Sequence, residues 1–400
     1  MKKTISIIGG GPGAIILASE LDPKKYSVSI FEKNTALGRK FLVAGDGGLN
    51  LTHSENEKEF VSRYTPKDFL TNAFSHFSNK DLIAWMNDLG IETFVGSSGR
   101  IFPKKGIKPI DVLKAMEEKL KQQSVKINFK HEWQGFSETN ELIFKTATGN
   151  KKIKSDLAVF CLGGASWPVT GSKGDWLTIF KGKGIDVIPF SASNCSFKIE
   201  WPKDILKSIE GKPLKNISVK CGNKIHFGEV VITATGIEGS GIYPLSPQIR
   251  DELNKKNEAK IFIDLKPDLS FDEMIERISK PVSKISYTEH VVKQLNLNKT
   301  QIALLKSKLS KSDFLDPGIL VNNLKNLELT IFSLGPIEDA ISTVGGISLN
   351  EISEKFELKK LPNNFVIGEM LDYDAPTGGY LLQSCFSMGK FLANHLNDRA

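Results

Sequence analysis

The feature that most constrains this 400-residue chain lies in its first thirty-two residues. Thr4–Ile8 is a short apolar run that reads as a buried strand. It passes straight into Gly9-Gly10-Gly11-Pro12-Gly13-Ala14, then into the helical stretch Ile15–Leu21. A second β-rich run, Tyr26–Phe31, ends in Glu32 and Lys33. Strand, glycine turn, helix, strand and acid is the order of a dinucleotide-binding βαβ unit. Gly9 permits the tight turn, and Gly11 lets backbone approach a pyrophosphate with no Cβ in the way. Pro12 and Gly13 lead to Ala14, a small residue where helix and strand pack closely. The helix start presents free N–H groups and partial positive charge to phosphate. Glu32, 18 residues after Ala14, can accept both hydroxyls of an adenosine ribose and disfavours a 2′-phosphate, hence NADP.

Further along, glycine-rich turns recur. Residues 37–53 form a long connection in which glycines such as Gly47 let the loop lie flat over a ligand. Arg39 and Lys40 can meet phosphate there, and Asn50, Leu51, Thr52 and His53 complete the strip. The apolar run Asp156–Leu162 reads as a parallel core strand ending in Gly163-Gly164, and Thr170–Asp175 is expected to open a helix. Helices are also expected at Pro66–Phe77, Asn79–Leu89 (capped by Ser78 or Asn79) and Asp111–Gln122. Val125–Phe129, Glu132–Ser137, Glu141–Thr146 and Lys152–Ile153 read as a meander. From Val187 the pattern shifts to short polar-broken strands, and Ser270–Asn326 is helical. The expected organisation is α/β: a discontinuous Rossmann-like core (1–186 and 341–400), a β-barrel-like insert (187–268 and 327–340), and a helical subdomain (269–326).

Length alone demands more than one domain. Lys and Arg number 53 against 46 acids, a net +7 spread as solvated surface, and no RNA-reading motif accompanies it. Cys161, Cys195, Cys221 and Cys385 are far apart and the six histidines are dispersed, so neither a dithiol nor a metal site is expected. Met1-Lys2-Lys3 imitates the start of a signal peptide, but Gly9–Gly13 would interrupt its apolar stretch. No run reaches the ~18 apolar residues that span a bilayer. A cytoplasmic location without membrane contact is the expectation.

Near the C-terminus, Asn364–Met370 reads as a last core strand. It carries Gly368 and Glu369, followed by Asp372, Thr377-Gly378-Gly379-Tyr380 and a final helix. An NAD site needs one phosphate turn. The additional turns and the distant acid-and-helix element suit FAD, with the final helix start facing the flavin N1–C2=O edge and Asp372 serving the ribityl or pyrophosphate side. No second glycine fingerprint appears between Val187 and Ala340, so NAD(P)H is expected only as a transient reductant.

Ile8–Ala14, Gly38–Thr52, Gly99–Pro103, Gly163–Asp175, Thr235–Ser246, Ser342–Ile347 and Gly368–Gln383 together resemble the BaiN/YhiN-type (aminoacetone-oxidase-like) FAD-binding flavoproteins. These belong to the two-dinucleotide-binding-domain group. The resemblance implies FAD, a Rossmann-like core with a β-barrel insert and helical subdomain, and oxidoreductase activity on a small molecule. Many such proteins carry an Arg-Cys pair where this chain has Gly48 and Leu49, so thiol chemistry is not carried over. The catalytic candidates are His53, whose side chain titrates near neutrality, Arg100, which can anchor an anionic substrate, and Tyr380, which faces flavin or core. An RNA-associated or non-catalytic flavin-binding protein is the alternative.

Overall fold

The computed structural model describes residues 1–45, 48–279 and 285–399. The chain divides into two compact units, residues 1–192 with 337–400, and residues 193–336.

The first unit is built on five parallel strands in the order Asn364–Val366, Leu157–Phe160, Lys3–Ile8, Tyr26–Glu32 and Lys126–Phe129. The chain runs outward through its first three strands on one side. It then returns to add the last two on the other, which is the doubly wound order with a switch point between Lys3–Ile8 and Leu157–Phe160. Ile5, Ile7, Ile8, Val159 and Phe160 are buried, as a sheet covered on both faces requires.

Pro12–Glu20 packs on one face, with Ala14 to Ala18 fully buried. Pro109–Gln122 buries Val112, Leu113, Met116 and Leu120, the i, i+1, i+4 stripe of an amphipathic helix. The helix Asn79–Asp88 opens with a capping box between Ser78 and Asp81, as its sequence suggests.

Several local expectations change. Val125–Phe129 is not part of the meander: Lys126–Phe129 pairs in parallel with Ser29–Glu32. It follows the helix Pro109–Gln122, the kind of crossover that a parallel neighbour requires. The meander is the three-stranded Glu132–Phe136, Leu142–Thr146 and Gly149–Ile153. Between Pro66 and Phe77 only Thr71–His76 is helical, because Asp68 takes a left-handed φ of 64°. The helix expected after Thr170 begins at Leu177, beyond the left-handed Gly171 and Gly174.

The strand Val187–Ser193, where the sequence changes character, pairs with Ser342–Ile347. In the second unit a seven-stranded sheet runs from Leu327–Ile331 at one end to Ser333–Leu334 at the other. These two strands are separated by Phe332 alone, so the sheet must curl back on itself into a barrel-like form. Among the described residues, five helices between Phe271 and Lys325 belong to this unit, and Ser270, Ser286 and Asn298 close capping boxes with Glu273, Glu289 and Gln301.

The final helix, Tyr380–Arg399, lies directly on Pro12–Glu20. Gly389 makes this possible: a Cβ there would sit 2.6 Å from Gly13 O and 2.5 Å from Ile16 Cγ2. Alanine ordinarily gains about 1 kcal/mol over glycine inside a helix. Here overpacking costs about 1–3 kcal/mol, so Gly389→Ala is expected to lower the urea midpoint. An unchanged or higher midpoint would contradict this packing.

Candidate functional site

A cleft of about 560 Å³ opens at the carboxyl ends of the strands that flank the switch point. Gly9–Gly13, Glu32–Asn34, Arg39–Lys40, Gly163 and Gly368–Glu369 line it. Gly9 has φ of 102°, and a Cβ there would lie 2.3 Å from Cys161 O. Only glycine lets the two strand ends meet so closely. A Cβ at Gly11, by contrast, would meet nothing within 4 Å, so the turn is open on the cleft side. Pro12 occupies the first turn of the following helix, leaving the Gly13 and Ala14 amides without acceptors inside it. Ala14 itself is buried behind the turn.

The buried Glu32 is consumed largely by bracing. Oε2 accepts from Gly10 N at 2.8 Å, and Oε1 accepts from Asn34 N and Nδ2, each at 2.8 Å. Oε2 retains one lone pair. Arg39 donates to Asn34 Oδ1 at 3.0 Å from an exposed position, and Lys33 is exposed at the cleft edge.

Lys40 is committed to protein partners: its ammonium donates to Glu369 Oε1 and Oε2 at 3.1 and 2.9 Å and to Ser166 Oγ at 2.7 Å. Glu369, 8% exposed, also accepts from Thr343 N at 3.1 Å. Gly164 must lack a side chain here, since a Cβ would fall 2.0 Å from Thr343 Oγ1. This knot ties the first loop, the second glycine turn and the C-terminal segment together.

Asn50, Leu51, Thr52, Asp372, Thr377, Gly378, Gly379 and Tyr380 lie outside the lining of that cleft, and Gly47 falls outside the described residues. Thr52 and Gly379 meet in a second cradle, where a Cβ on Gly379 would lie 2.6 Å from Thr52 Cα. Among the described residues, Asn50 Oδ1 and Thr52 Oγ1 are buried without a hydrogen-bond partner. Leu51 is core, and its amide donates to Ile101 O at 2.8 Å. Asp372 N donates to Ile347 O at 2.9 Å.

The catalytic candidates gather around this cradle. His53 and Arg100 are directly opposed on antiparallel strands, and the His53 ring stacks on Tyr380 at 5.6 Å. His53 Nδ1 accepts from Glu55 N at 3.2 Å, so the ring proton sits on Nε2 and is donated to Ser98 O at 3.0 Å. Both nitrogens are occupied. The Tyr380 hydroxyl donates to Glu55 Oε2 at 2.7 Å, while its carbonyl accepts from Tyr64 Oη at 2.7 Å. Burial, together with the Glu55 hydrogen bond, pushes the Tyr380 phenol far above its ordinary value. Tyr380 therefore serves as a clamp on the helix start.

Some residues lining the cleft were not singled out from sequence. Trp133 and Trp176, each 7% exposed, line the cleft and carry indole N–H groups without acceptors. Their signal, an aromatic at a sheet edge and another after a glycine turn, is indistinguishable from core packing in a sequence. Cys161 and Cys385 also line it, and burial pushes both thiols up, Cys385 to about 12, so they stay protonated. Among the described residues no cluster of three His, Cys, Asp or Glu side chains could hold a metal, and no helix is long and apolar enough to cross a membrane.

Burial raises the Glu55 carboxyl, but hydrogen bonds from Arg63 and Tyr380 and the Arg63 charge outweigh this and hold it below its usual range. A carboxyl lowered in the fold contributes fully above the ordinary carboxylate range and loses that contribution as pH falls through the folded value. Glu55→Gln is expected to cost about 1–2 kcal/mol at neutral pH and to flatten the acid limb of the stability profile. An acid limb identical to wild type would refute the assignment.

Comparison with known proteins places the chain. Residues 3–395 match the family described as HI0933-like protein Rossmann domain. The chain is 24% identical to a 3-dehydro-bile acid delta(4,6)-reductase of Clostridium scindens, covering 96% of this chain and 97% of that protein. It is 25% identical to a ribosomal RNA dihydrouridine synthase of Haemophilus influenzae, covering 95% of each. Among solved structures, a 3-ketosteroid delta1-dehydrogenase from Sterolibacterium denitrificans aligns over 100% of both chains, at 11% identity and a TM-score of 0.49. With its glycine turn at the switch point of a doubly wound sheet and a match over nearly its whole length, this chain belongs to the HI0933-like Rossmann-domain family.

Proposed function

We propose that this chain is an FAD-dependent oxidoreductase acting on a small molecule. The supporting observation is that Gly368 and Glu369, more than 300 residues from the first glycine turn, line the same cleft as Gly9–Gly13. An NAD half-site would leave that return without a task. The fit rests on open backbone at Gly11, on the spare lone pair of Glu32, and on the buried unpartnered oxygens of Asn50 and Thr52 at the second cradle.

In this reading Gly9, Gly11, Pro12, Gly13 and Ala14 receive the pyrophosphate, Glu32 and Lys33 the adenosine ribose, and Arg39 the rim. Lys40 and Glu369 hold Gly163–Gly164 and Gly368 in position. Asn50, Leu51, Thr52 and Thr377–Tyr380 flank the ring system, with Asp372 behind them. Bound there, the flavin supplies hydride or electron transfer at its isoalloxazine. The start of helix Tyr380–Arg399 stabilises negative charge by its free amides. NADH or NADPH serves as a transient reductant. The relatives named a delta(4,6)-reductase and a dihydrouridine synthase support a reductive direction.

Purified protein is expected to be yellow and to release FAD on denaturation. Glu32→Ala is expected to weaken FAD retention about 10-fold or more, as loss of a charged hydrogen-bond partner does. Colourless protein that takes up no added FAD would refute the reading. Anaerobic mixing with NADH and NADPH then tests the reductant, since bleaching by neither excludes both.

A second reading takes RNA as the substrate, favoured by the net charge of +7 and the relative named for ribosomal RNA. It requires co-purifying RNA whose affinity falls steeply with salt. Binding insensitive to salt would remove it.

A further inference from the structure

Arg100 stands apart from the other charged groups at the second cradle. Glu55 is matched by Arg63, and both ring nitrogens of His53 already have hydrogen-bond partners. The half-buried Arg100 guanidinium makes no hydrogen bond or ion pair among the described residues. Guanidinium cannot shed its proton, so among the described residues Arg100 is a positive charge without a partner.

Its position is well defined. Arg100 opposes His53 across the antiparallel pair, so both side chains leave the same face of the sheet. A Cβ on Gly378 would lie 3.7 Å from Arg100 Nε and 3.2 Å from Tyr380 Cε2. The helix that follows makes its first bond from Gln383 N to Gly379 O, leaving the Tyr380, Leu381 and Leu382 amides without acceptors inside it.

We propose that Arg100 anchors the substrate by a carboxylate, taken on the face that it shares with His53, beside Gly378. The fork of a guanidinium matches the two oxygens of a carboxylate. One uncompensated charge matches a monoanion better than a dianionic phosphate. The substrate class is therefore a small molecule bearing a single carboxylate. This rests on the FAD oxidoreductase reading, because it makes the second cradle the place where substrate meets cofactor.

The test uses the FAD-loaded protein titrated with benzoate, benzamide and phenyl phosphate, read by calorimetry and by the flavin difference spectrum. Wild type is expected to bind benzoate at least about 10-fold more tightly than benzamide. Arg100→Gln is expected to weaken benzoate by about 10–100-fold and leave benzamide unchanged, and Arg100→Lys to recover part of the loss. FAD content and melting temperature, measured on the same samples, should match wild type. A wild type that does not prefer benzoate, or a preference that survives in Arg100→Gln, overturns the proposal. Tighter binding of phenyl phosphate than benzoate overturns the single-charge assignment. Should Arg100→Gln fail to fold, the wild-type preference and Arg100→Lys still decide the matter. Loss of FAD from wild type would instead defeat the flavoprotein reading, whereas FAD retained without carboxylate preference defeats only this inference.

Discussion

Backbone touching backbone, at places where a single methyl group would intervene, is the constraint on which this structure depends. Gly9 lets the end of the first strand meet Cys161 O, which creates the crevice at the switch point. Gly379 lets the C-terminal helix start meet Thr52, and Gly389 lets the same helix lie on the backbone of Pro12–Glu20. All three contacts join segments remote in sequence, and the last two draw the C-terminal element onto the N-terminal one. Such approaches need no side-chain complementarity, only the absence of Cβ.

The buried acids tell a related story. Glu32, Glu55 and Glu369 each sit where a ligand contact or proton transfer is conceivable, yet each spends most of its lone pairs on the protein. Burying a carboxylate is costly unless it is paired and hydrogen-bonded. The partners chosen here lie on different segments, so meeting that cost also fastens the loops of the site. Among the described residues, unpaired groups at the cleft and the second cradle include Arg100, the Thr52 hydroxyl, the Asn50 carbonyl and two indole N–H groups at the cleft wall.

Local patterns were legible wherever chemistry is local. The glycine turn before Pro12–Glu20 and the Ser78 cap before Asn79–Asp88 announce their helix starts. Elements whose identity depends on a neighbour were not. Lys126–Phe129 reads like any short strand, and only the crossover helix before it makes it a parallel edge. The apparent helix at Pro66–Phe77 loses its first turn to a left-handed Asp68.

The linear chain was enough to establish a dinucleotide-binding βαβ start and a long return from Gly368, because turn geometry and hydrophobic period are written within a few residues. Which polar groups are spoken for could be decided only in three dimensions. Lys40 looks free for phosphate until Glu369, 329 positions away, takes it. Tyr380 and His53 look like proton-transfer groups until Glu55 and Ser98 occupy their polar atoms. Hydrogen-bond satisfaction is a property of spatial neighbours, and neighbours are set by packing.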